Sequence, residues 1–586
     1  MLSASGGRTS RREQARWLGG ILRQNRTGLL LALGLTLLST SLDVATLVLY
    51  YPILALLTGA SVADGIGMRL VSRVWGVFGV SPGLLTILGL LVALLVFRSG
   101  CLYVLRVVIK HYELDFNLRL RREFLRRFAA STWEFIIRSK PGSLLNLFAE
   151  YTTSTSRALF SVVELMDDVI SCLGFLAVAV YASPVLALFI LAAAVIVGPI
   201  LRRIYWGVKA LIRRRIQLQN QLANKFLDYL GGFKTFKSMS LETFYLRALD
   251  RDLETFTANE RRSYKLQVAL NLLGQPLFAL VGAGFLIVAH YGFSVGVETV
   301  VIFFVILTKT YARLNSLQIS LGRLVQSAPA VQTLREFDRE AAAAGERGDG
   351  QVLEGRIATV EFDRVGFTYP DGTRVFEGVC FTLRVERGLI VITGPSGIGK
   401  STLLDLLSAL LLPSSGIVRI NGVDARDLDL RALRSRMGFV PQVPVLFDRT
   451  IKENISLRED DETDPARVEE AARLADAHEF IARLARGYDT LMGEDGASLS
   501  LGQNQRISMA RALYQKPELL FFDEPTSALD AHSAREVMKV IERVAESYPV
   551  FLVSHSEEIQ RKAQTLIVLD RAGVKVVERG PVGATR

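Results

Sequence analysis

Residues 394–401 read Gly394-Pro395-Ser396-Gly397-Ile398-Gly399-Lys400-Ser401 and continue into Thr402. This stretch lies between an apolar run typical of a strand, Leu389 to Thr393, and a run typical of a helix, Thr402 to Leu412. In that context the glycines let successive backbone N–H groups turn toward phosphate oxygens. Lys400 then supplies a cation to the β- and γ-phosphates, and the Ser401 hydroxyl can reach Mg²⁺. The stretch therefore predicts a nucleotide phosphate site, against the alternative of a glycine-rich turn with an incidental lysine.

A second element of the same site lies further along the chain. The run Leu519 to Phe522 is apolar enough to be a buried strand, and it ends in two acids, Asp523 and Glu524. Such a strand end needs a cation or a proton to offset the cost of two carboxylates beside an apolar core. We expect Asp523 to join the Mg²⁺ shell and Glu524 to polarise the water that attacks the γ-phosphate. The alternative is a strand end that is merely solvated.

Composition divides the chain into two parts. Half of the 586 residues are hydrophobic, the mean hydropathy is +0.30, and the apolar residues concentrate before about position 330. That distribution predicts a membrane half followed by a soluble half. Much of the net charge of +11 comes from arginine clusters beside apolar segments, which indicates cytosolic topology and lipid headgroup contacts rather than nucleic acid. The three cysteines are far apart and offer neither a disulfide framework nor zinc spacing.

Six membrane spans are predicted in the first half. Their limits are 27–57, 84–109, 160–182, 184–206, 267–291 and 297–325, and each is long enough to cross a hydrocarbon core of roughly 30 Å. Residues 1–26 are predicted to form a helix on the cytoplasmic membrane surface, before an uncleaved first span. The presumed outer loops hold few basic residues, whereas 110–157 and 202–265 are rich in them, which places both termini in the cytoplasm. Those inner segments are predicted to be helical extensions of the spans, broken at 139–142 and at 231–232.

Charged residues inside the spans are candidates for a functional cavity, because buried charges are costly in a membrane. Those singled out are Asp43 in the first span, Arg98 in the second, and Lys309 and Arg313 one turn apart in the sixth. On one interpretation the three bases line a water-filled cavity suited to an anionic headgroup. On the other, Asp43 and Arg98 pair within the helix bundle, or the basic side chains extend to an interface. Further acids, available to gate or pair with those bases, lie near the cytoplasmic end of the third span: Glu164, Asp167 and Asp168.

Beyond a linker at 340–356, the chain alternates short β-branched runs with helical patterns, which is typical of an α/β nucleotide-binding domain. Within it, Leu499-Ser500-Leu501-Gly502-Gln503 opens a helical run. Here the chain resembles the ATP-binding cassette (ABC) transporters, whose signature reads L-S-G-G-Q, and the resemblance covers essentially the whole chain. It implies that Ser500, Gly502 and Gln503, at a helix N-terminus, bind the γ-phosphate of ATP held by another subunit. Leu501 replaces the first signature glycine, which suggests slower closure or one half of a heteromer.

The resemblance implies further roles in the ATP site. It assigns Tyr369 to stacking on adenine, Gln442 to Mg²⁺ and water sensing, Ser527 to Asp530 to a dimer contact, and His555 to the γ-phosphate. A lone histidine is more often structural, but this one follows an apolar strand, Val550 to Val553, and completes the set. The family's T-E-V-G-E-R-G stretch reads Thr490 to Gly496 here, with Leu491 in place of its first glutamate. That substitution puts coupling through the family's contact in question.

The fold class that follows is an α-helical membrane domain with six transmembrane helices, of the ABC exporter type, fused to an α/β P-loop ATPase domain. Its expected divisions are an interfacial helix at 1–26, the transmembrane domain at 27–339, the linker at 340–356 and the ATPase domain at 357–586. Six spans and one cassette make a half-transporter, which we expect to use ATP and Mg²⁺ as a dimer. A second copy of the chain is the favoured partner, and a paralogous half-transporter is the alternative. The expected location is the bacterial inner membrane, in contact with its lipids.

The transported substrate is expected to be amphiphilic: a lipid, a lipid-linked glycan, a peptide or a drug. A weak resemblance to flippases of lipid-linked oligosaccharides rests on the first span, with Asp43 early and Pro52 late. Two alternatives to export remain. One is a fused importer of the same fold, and the other is a cassette ATPase without a transport function, acting on DNA or ribosomes, which the six spans disfavour.

Overall fold

The structure is a computed structural model. It describes residues 26–58, 83–182, 217–292, 297–346, 348–459, 462–492, 499–571 and 573–579, with single positions between 188 and 215. The chain divides into two compact units. A helical unit comprises Met1–Ala129 with Ser139–Glu340, and an α/β unit comprises Ala130–Arg138 with Ala341–Arg586.

Long helices dominate the first part of the chain. The α-helices described there, long and short, are α1 (Arg26–Thr58), α2 (Leu84–Ala129), α3 (Trp133–Arg138), α4 (Pro141–Asn146), α5 (Thr152–Ala182), α6 (Phe233–Ser238), α7 (Glu242–Gly292) and α8 (Val297–Ala343). Because α2, α7 and α8 are each more than twice the length that a bilayer requires, each is long enough for a span and an extension beyond the bilayer. The short helix α4 begins within the first predicted break, at 139–142, and α6 follows the second, at 231–232.

Membrane-spanning segments can also be judged by length and hydropathy. Within the described residues, Leu30–Leu54 and Leu84–Ala129 meet both criteria. The predicted surface helix at 1–26 and the predicted fourth span at 184–206 lie almost entirely outside the described residues. The number of six spans therefore stays a prediction.

Small and hydroxyl-bearing residues line the contact of α1 with its neighbours. A Cβ atom at Gly28 would come within 2.7 Å of the Tyr112 ring on α2, so glycine permits close approach of the two helices. The Thr40 hydroxyl of α1 lies 3.2 Å from the Ser171 hydroxyl of α5. Other polar residues buried on α1 are Thr36, Ser39, Asp43 and Thr46. The helical unit therefore has a polar interior along α1.

The α/β unit contains two sheets and the helices that cover them. Its strands are β1 (Thr359–Thr368), β2 (Arg374–Arg384), β3 (Gly388–Thr393), β4 (Ser415–Ile420), β5 (Val423–Asp424), β6 (Met437–Val440), β7 (Leu519–Asp523), β8 (Pro549–Val553), β9 (Thr565–Asp570) and β10 (Gly573–Glu578). Its helices beyond α8 are α9 (Lys400–Leu407), α10 (Leu430–Arg434), α11 (Ile451–Ser456), α12 (Pro465–Leu474), α13 (His478–Ala482), α14 (Leu501–Tyr514), α15 (Ala531–Ala545) and α16 (Glu557–Lys562). The smaller sheet is antiparallel, with strand order β2-β1-β4-β5.

The larger sheet has strand order β10-β9-β3-β8-β7-β6, and all neighbours except the β10–β9 pair are parallel. Both of its faces are buried: on β3, Leu389 and Val391 face one apolar core, and Ile390 and Ile392 face the other. This is why the strands read as continuous apolar runs in the sequence. The parallel arrangement also brings the carboxyl ends of β3, β8, β7 and β6 to one edge, where ligands of such sheets bind.

The segment that follows α8 is bound to the α/β unit. The Thr132 N–H donates to the Ala344 carbonyl at 2.8 Å, and the Glu346 N–H donates to the Ala130 carbonyl at 2.9 Å. The Glu346 carboxylate also pairs with Arg434 of α10. Hydrogen bonds therefore hold much of the stretch 340–356, which the sequence predicts to be a linker.

Candidate nucleotide site

The phosphate loop connects β3 to α9, and its glycines meet specific steric demands. Gly394 has φ +155°, and a Cβ atom there would lie 2.5 Å from the Leu569 carbonyl oxygen. Gly399 has φ +106°, and a Cβ atom there would lie 2.4 Å from Val375. A larger residue at either position would clash, so the loop conformation depends on both glycines.

Lys400 begins α9 and points back into this loop. Its Nζ atom donates to the carbonyl oxygens of Gly394 and Pro395 at 3.4 and 3.2 Å. The side chain is almost completely buried, and its Nζ atom lies 3.7 Å from a carboxylate oxygen of Glu524. Among the described residues its partners are two carbonyl oxygens and one distant carboxylate, and a buried cation with such partners is suited to binding a further anion, such as a phosphate.

Glu524 lies at the sheet edge where the carboxyl ends of the parallel strands meet. It follows β7 and has φ +44°, a left-handed conformation that is strained for a residue with a side chain. Its carboxylate accepts a hydrogen bond from the Gln442 amide at 3.3 Å and lies 3.4 Å from His555 Nε2. The structure thus gathers Lys400, Gln442 and His555 around the carboxylate that the sequence predicts to be catalytic, and the strain at its backbone is consistent with a functional position.

Asp523 and Ser401 form the predicted metal pair. The Ser401 hydroxyl donates to Asp523 Oδ1 at 3.1 Å. Burial raises the pKa of Asp523, and the neighbouring charge of Glu524 raises it further, although the hydrogen bond from Ser401 and the charge of Lys400 act in the opposite direction. A divalent cation would offset the cost of burying the negative charge of Asp523. A hydroxyl beside a carboxylate is also the oxygen donor set that Mg²⁺ takes in nucleotide sites. The residues present therefore fit Mg²⁺.

Asp405 lies near the predicted metal residues, but it is not among the site residues predicted from the sequence. It lies one turn after Ser401 on α9, and its pKa is raised to about 7 by burial and by the charge of Asp523. The spacing of four residues from Ser401 is the signal that could have found it, because such residues share one helix face. A third acid therefore lies close to the predicted metal pair.

Tyr369 follows β1, on the smaller sheet. Its hydroxyl lies 2.9 Å from the Thr402 hydroxyl on α9, and its ring packs edge-on against Phe367 at a centroid distance of 4.9 Å. These contacts hold the aromatic ring beside the helix that carries the phosphate loop. Stacking on adenine stays a prediction for this ring.

The signature residues begin α14. Ser500 caps this helix: its hydroxyl accepts a hydrogen bond from the Gln503 N–H at 3.3 Å, and the Gln503 side chain accepts one from the Ser500 N–H at 2.9 Å. In the described part of the chain these two side chains bond to each other's backbone and not to the phosphate loop. Leu501 begins the helix with 38% of its surface exposed, and Gly502 is buried against Ser533 of α15. The contacts of Ser500, Gly502 and Gln503 with ATP held by another subunit stay a prediction.

The upstream stretch is described only in part. Leu491 is half-exposed and forms an isolated bridge with Thr450. Residues 493–498 lie outside the described residues. The predicted effect of Leu491 on coupling therefore stays a prediction.

The four charged residues predicted inside the spans come together in the helical unit. Asp43 Oδ2 accepts a hydrogen bond from Arg98 at 2.9 Å, and its Oδ1 accepts one from Lys309 at 2.6 Å. Arg313 lies 3.6 Å from Asp43 and bonds to Asp167 at 2.8 Å, with Asp168 at 3.5 Å. We call these six residues the charge cluster. Asp43 and Arg98 therefore pair within the bundle, as one of the two interpretations of the sequence expects.

Comparisons with known proteins agree with these observations. The family model for the ABC transporter transmembrane region matches residues 29–311, and the ABC transporter model matches residues 377–527. The ABC transporter ATP-binding protein y4gM of Sinorhizobium fredii is 31% identical over 449 residues, which are 74% of each chain. Multidrug resistance protein 3 of Entamoeba histolytica is 32% identical over 60% of this chain, but the match spans only 27% of that longer protein.

A solved structure shares the overall fold. It is that of a bacterial Atm1-family ABC exporter with ATP bound, which aligns over 96% of both chains with a TM-score of 0.80 at 24% identity. The two family models, the bacterial relative and the assembled strand-end residues lead to the same conclusion. The chain belongs to the ABC transporter family, and it joins the family's transmembrane region to an ATP-hydrolysing domain in one polypeptide.

Proposed function

We propose that this chain is one half of a dimeric, ATP-driven exporter of an amphiphilic substrate, placed in a bacterial inner membrane with both termini cytoplasmic. One observation carries the proposal. The residues suited to γ-phosphate chemistry surround Glu524, whereas Ser500 and Gln503 bond to each other and not to the phosphate loop. A site of this composition is complete only when a second α/β unit presents its α14 N-terminus to the phosphate loop.

The proposed hydrolysis uses this chain's own groups as follows. The backbone N–H groups of the phosphate loop and Lys400 bind the β- and γ-phosphates of ATP. Glu524 accepts the proton of the attacking water, which Gln442 helps to orient, and His555 binds the γ-phosphate. Ser401 and Asp523 hold Mg²⁺, which neutralises phosphate charge when bound. Closure of two α/β units over ATP, and their separation after hydrolysis, alternately opens the helical units to the two sides of the membrane.

We favour a homodimer because one chain carries all the catalytic groups. A substitution at Leu501 tests whether the chain works with a second copy of itself. Leu501→Gly restores the family's residue at an exposed helix start, so we expect ATP hydrolysis by the purified single-gene product to stay equal or to rise. The measurement is phosphate release by the full chain in detergent or lipid. Phosphate release by neither form would instead favour a missing paralogous subunit.

A transport assay in vesicles tests both the direction of transport and the class of substrate. Purified protein in inverted vesicles should accumulate a labelled amphiphile when ATP is added, and amphiphiles should stimulate its ATP hydrolysis. A panel of drugs, peptides and polyprenyl-pyrophosphate glycans covers the expected substrate classes. Accumulation inside intact cells without any uptake by inverted vesicles would mean import and would overturn the proposal of export.

A further inference from the structure

The charge cluster contains three cations and three carboxylates, but they are unevenly distributed. At one end, Arg98 and Lys309 both bond to the carboxylate of Asp43, which Arg313 also approaches to 3.6 Å. At the other end, Asp167 and Asp168 share the single guanidinium group of Arg313. The cluster is therefore neutral as a whole, with a cationic end and an anionic end.

Exposure differs between the charges at the cationic end. The Asp43 side chain is 3% exposed, whereas those of Arg98 and Lys309 are 21% and 27% exposed. The two cations are therefore the solvent-accessible charges at this end, and the carboxylate is almost inaccessible. Arg98 Nε is also buried without a hydrogen-bond partner among the described residues. This end can therefore accept an anionic group without first losing Asp43.

The anionic end has spare acceptors. Asp167 Oδ1 and Asp168 Oδ2 are buried, and neither has a hydrogen-bond partner among the described residues. Asp168 itself is almost completely buried on α5, where Ser316 and Arg313 of α8 already bond to its carboxylate. A buried carboxylate oxygen without a partner is rare and costly, so its presence needs a reason. Binding of an ammonium group would explain these oxygens, because an ammonium group donates up to three hydrogen bonds.

We propose that the charge cluster is a subsite for a zwitterionic headgroup, whose anionic part binds Lys309 and Arg98 and whose ammonium part binds Asp167. This inference rests on the proposed function and names the substrate class. Charge balance favours a zwitterion, since an anion or a cation alone would add a net charge to a neutral, largely buried cluster. The occupant is an amphiphile with a phosphoethanolamine-like headgroup.

The first experiment uses the unmodified protein. The full chain is purified in a neutral maltoside detergent, and its ATP hydrolysis is measured with lysophosphatidylethanolamine, lysophosphatidylglycerol or an alkylamine of equal chain length. We expect the zwitterionic amphiphile to give half-maximal stimulation at a concentration about tenfold or more below either of the others, since one charge-assisted hydrogen bond is worth at least that factor. Phosphoethanolamine without an acyl chain distinguishes a lipid ligand from a soluble one. It should not stimulate hydrolysis if the ligand is a lipid, and it should stimulate as well as lysophosphatidylethanolamine if the ligand is a soluble zwitterion.

Two variants should shift the preference in opposite directions. Lys309→Met leaves the cluster with a net negative charge, so the alkylamine should become the best of the three stimulants. Asp167→Asn leaves a net positive charge, so lysophosphatidylglycerol should become the best. The matched control is Glu164→Gln, because Glu164 pairs with Arg323 at 2.6 Å on the same two helices with both side chains exposed. That control should keep the order of the unmodified protein.

Comparing ligands on one preparation removes the effect of partial misfolding. The inference is overturned if the unmodified protein responds equally to the zwitterionic and anionic amphiphiles, or if the two variants shift the order in the same direction. A protein that hydrolyses ATP but responds to none of the amphiphiles or other panel members, and moves none into vesicles, would overturn the proposed transport function as well. The two failures are therefore distinguishable.

Discussion

Glu524→Gln is expected to lower steady-state ATP hydrolysis by at least about 100-fold, the lower range for loss of a general base, and to leave ATP bound. The glutamine side chain keeps the size of Glu524 and can still contact Gln442, Lys400 and His555. It cannot accept the proton of the attacking water. Hydrolysis should therefore fail after the nucleotide has bound. The measurements are phosphate release and retention of labelled ATP after gel filtration.

Glu557→Gln is the matched control for this variant. Glu557 begins α16 two residues after His555, is exposed, and pairs with Arg561 on the surface. Its loss should change neither hydrolysis nor ATP retention. Steady hydrolysis by Glu524→Gln at the unmutated rate would show that another group accepts the proton, and the catalytic assignment would be wrong.

Asp43→Ala is expected to lower the free energy of unfolding of the helical unit by about 3–5 kcal/mol, the cost of removing one partner from a buried ion pair. The substitution leaves Arg98 and Lys309 without the carboxylate that accepts their hydrogen bonds at 2.9 and 2.6 Å. Thermal unfolding of the purified full chain in detergent measures the effect. We expect a clear loss of thermal stability.

Glu164→Ala is the control for Asp43→Ala. The Glu164–Arg323 pair is exposed, so its loss should cost about 0–1 kcal/mol. A double variant, Asp43→Ala with Lys309→Met, should recover part of the stability, because it removes one of the two unpaired cations. Equal losses for Asp43→Ala and Glu164→Ala would contradict the structural importance of the buried pair.

Much of the nucleotide site could be predicted from local patterns. The phosphate loop, the acids at Asp523 and Glu524, and His555 all lie at the ends of apolar runs. Once those runs are recognised as parallel strands, geometry brings their carboxyl ends together. The signature stretch at Ser500 was recognisable through its resemblance to the L-S-G-G-Q motif of the ABC transporters.

Contacts between distant segments could not be predicted in this way. Nothing in the sequence specifies that Lys309 meets Asp43 across 266 positions, or that Arg313 serves both Asp167 and Asp168. The tertiary structure likewise strains the backbone at Glu524. In each case the partner depends on how helices or strands pack, which local patterns do not encode.

Glycine spacing, strand-end acids and long apolar runs are local properties, so the sequence alone predicts a nucleotide-binding half behind a membrane half, and the resemblance of its signature stretch adds the ABC type. The sequence left open whether the charges in the spans line a cavity or pair with each other. The pairing of Asp43 with bases from two helices is visible in the three-dimensional structure alone, since a charge's partner is set by packing and by the cost of leaving that charge alone in an apolar medium.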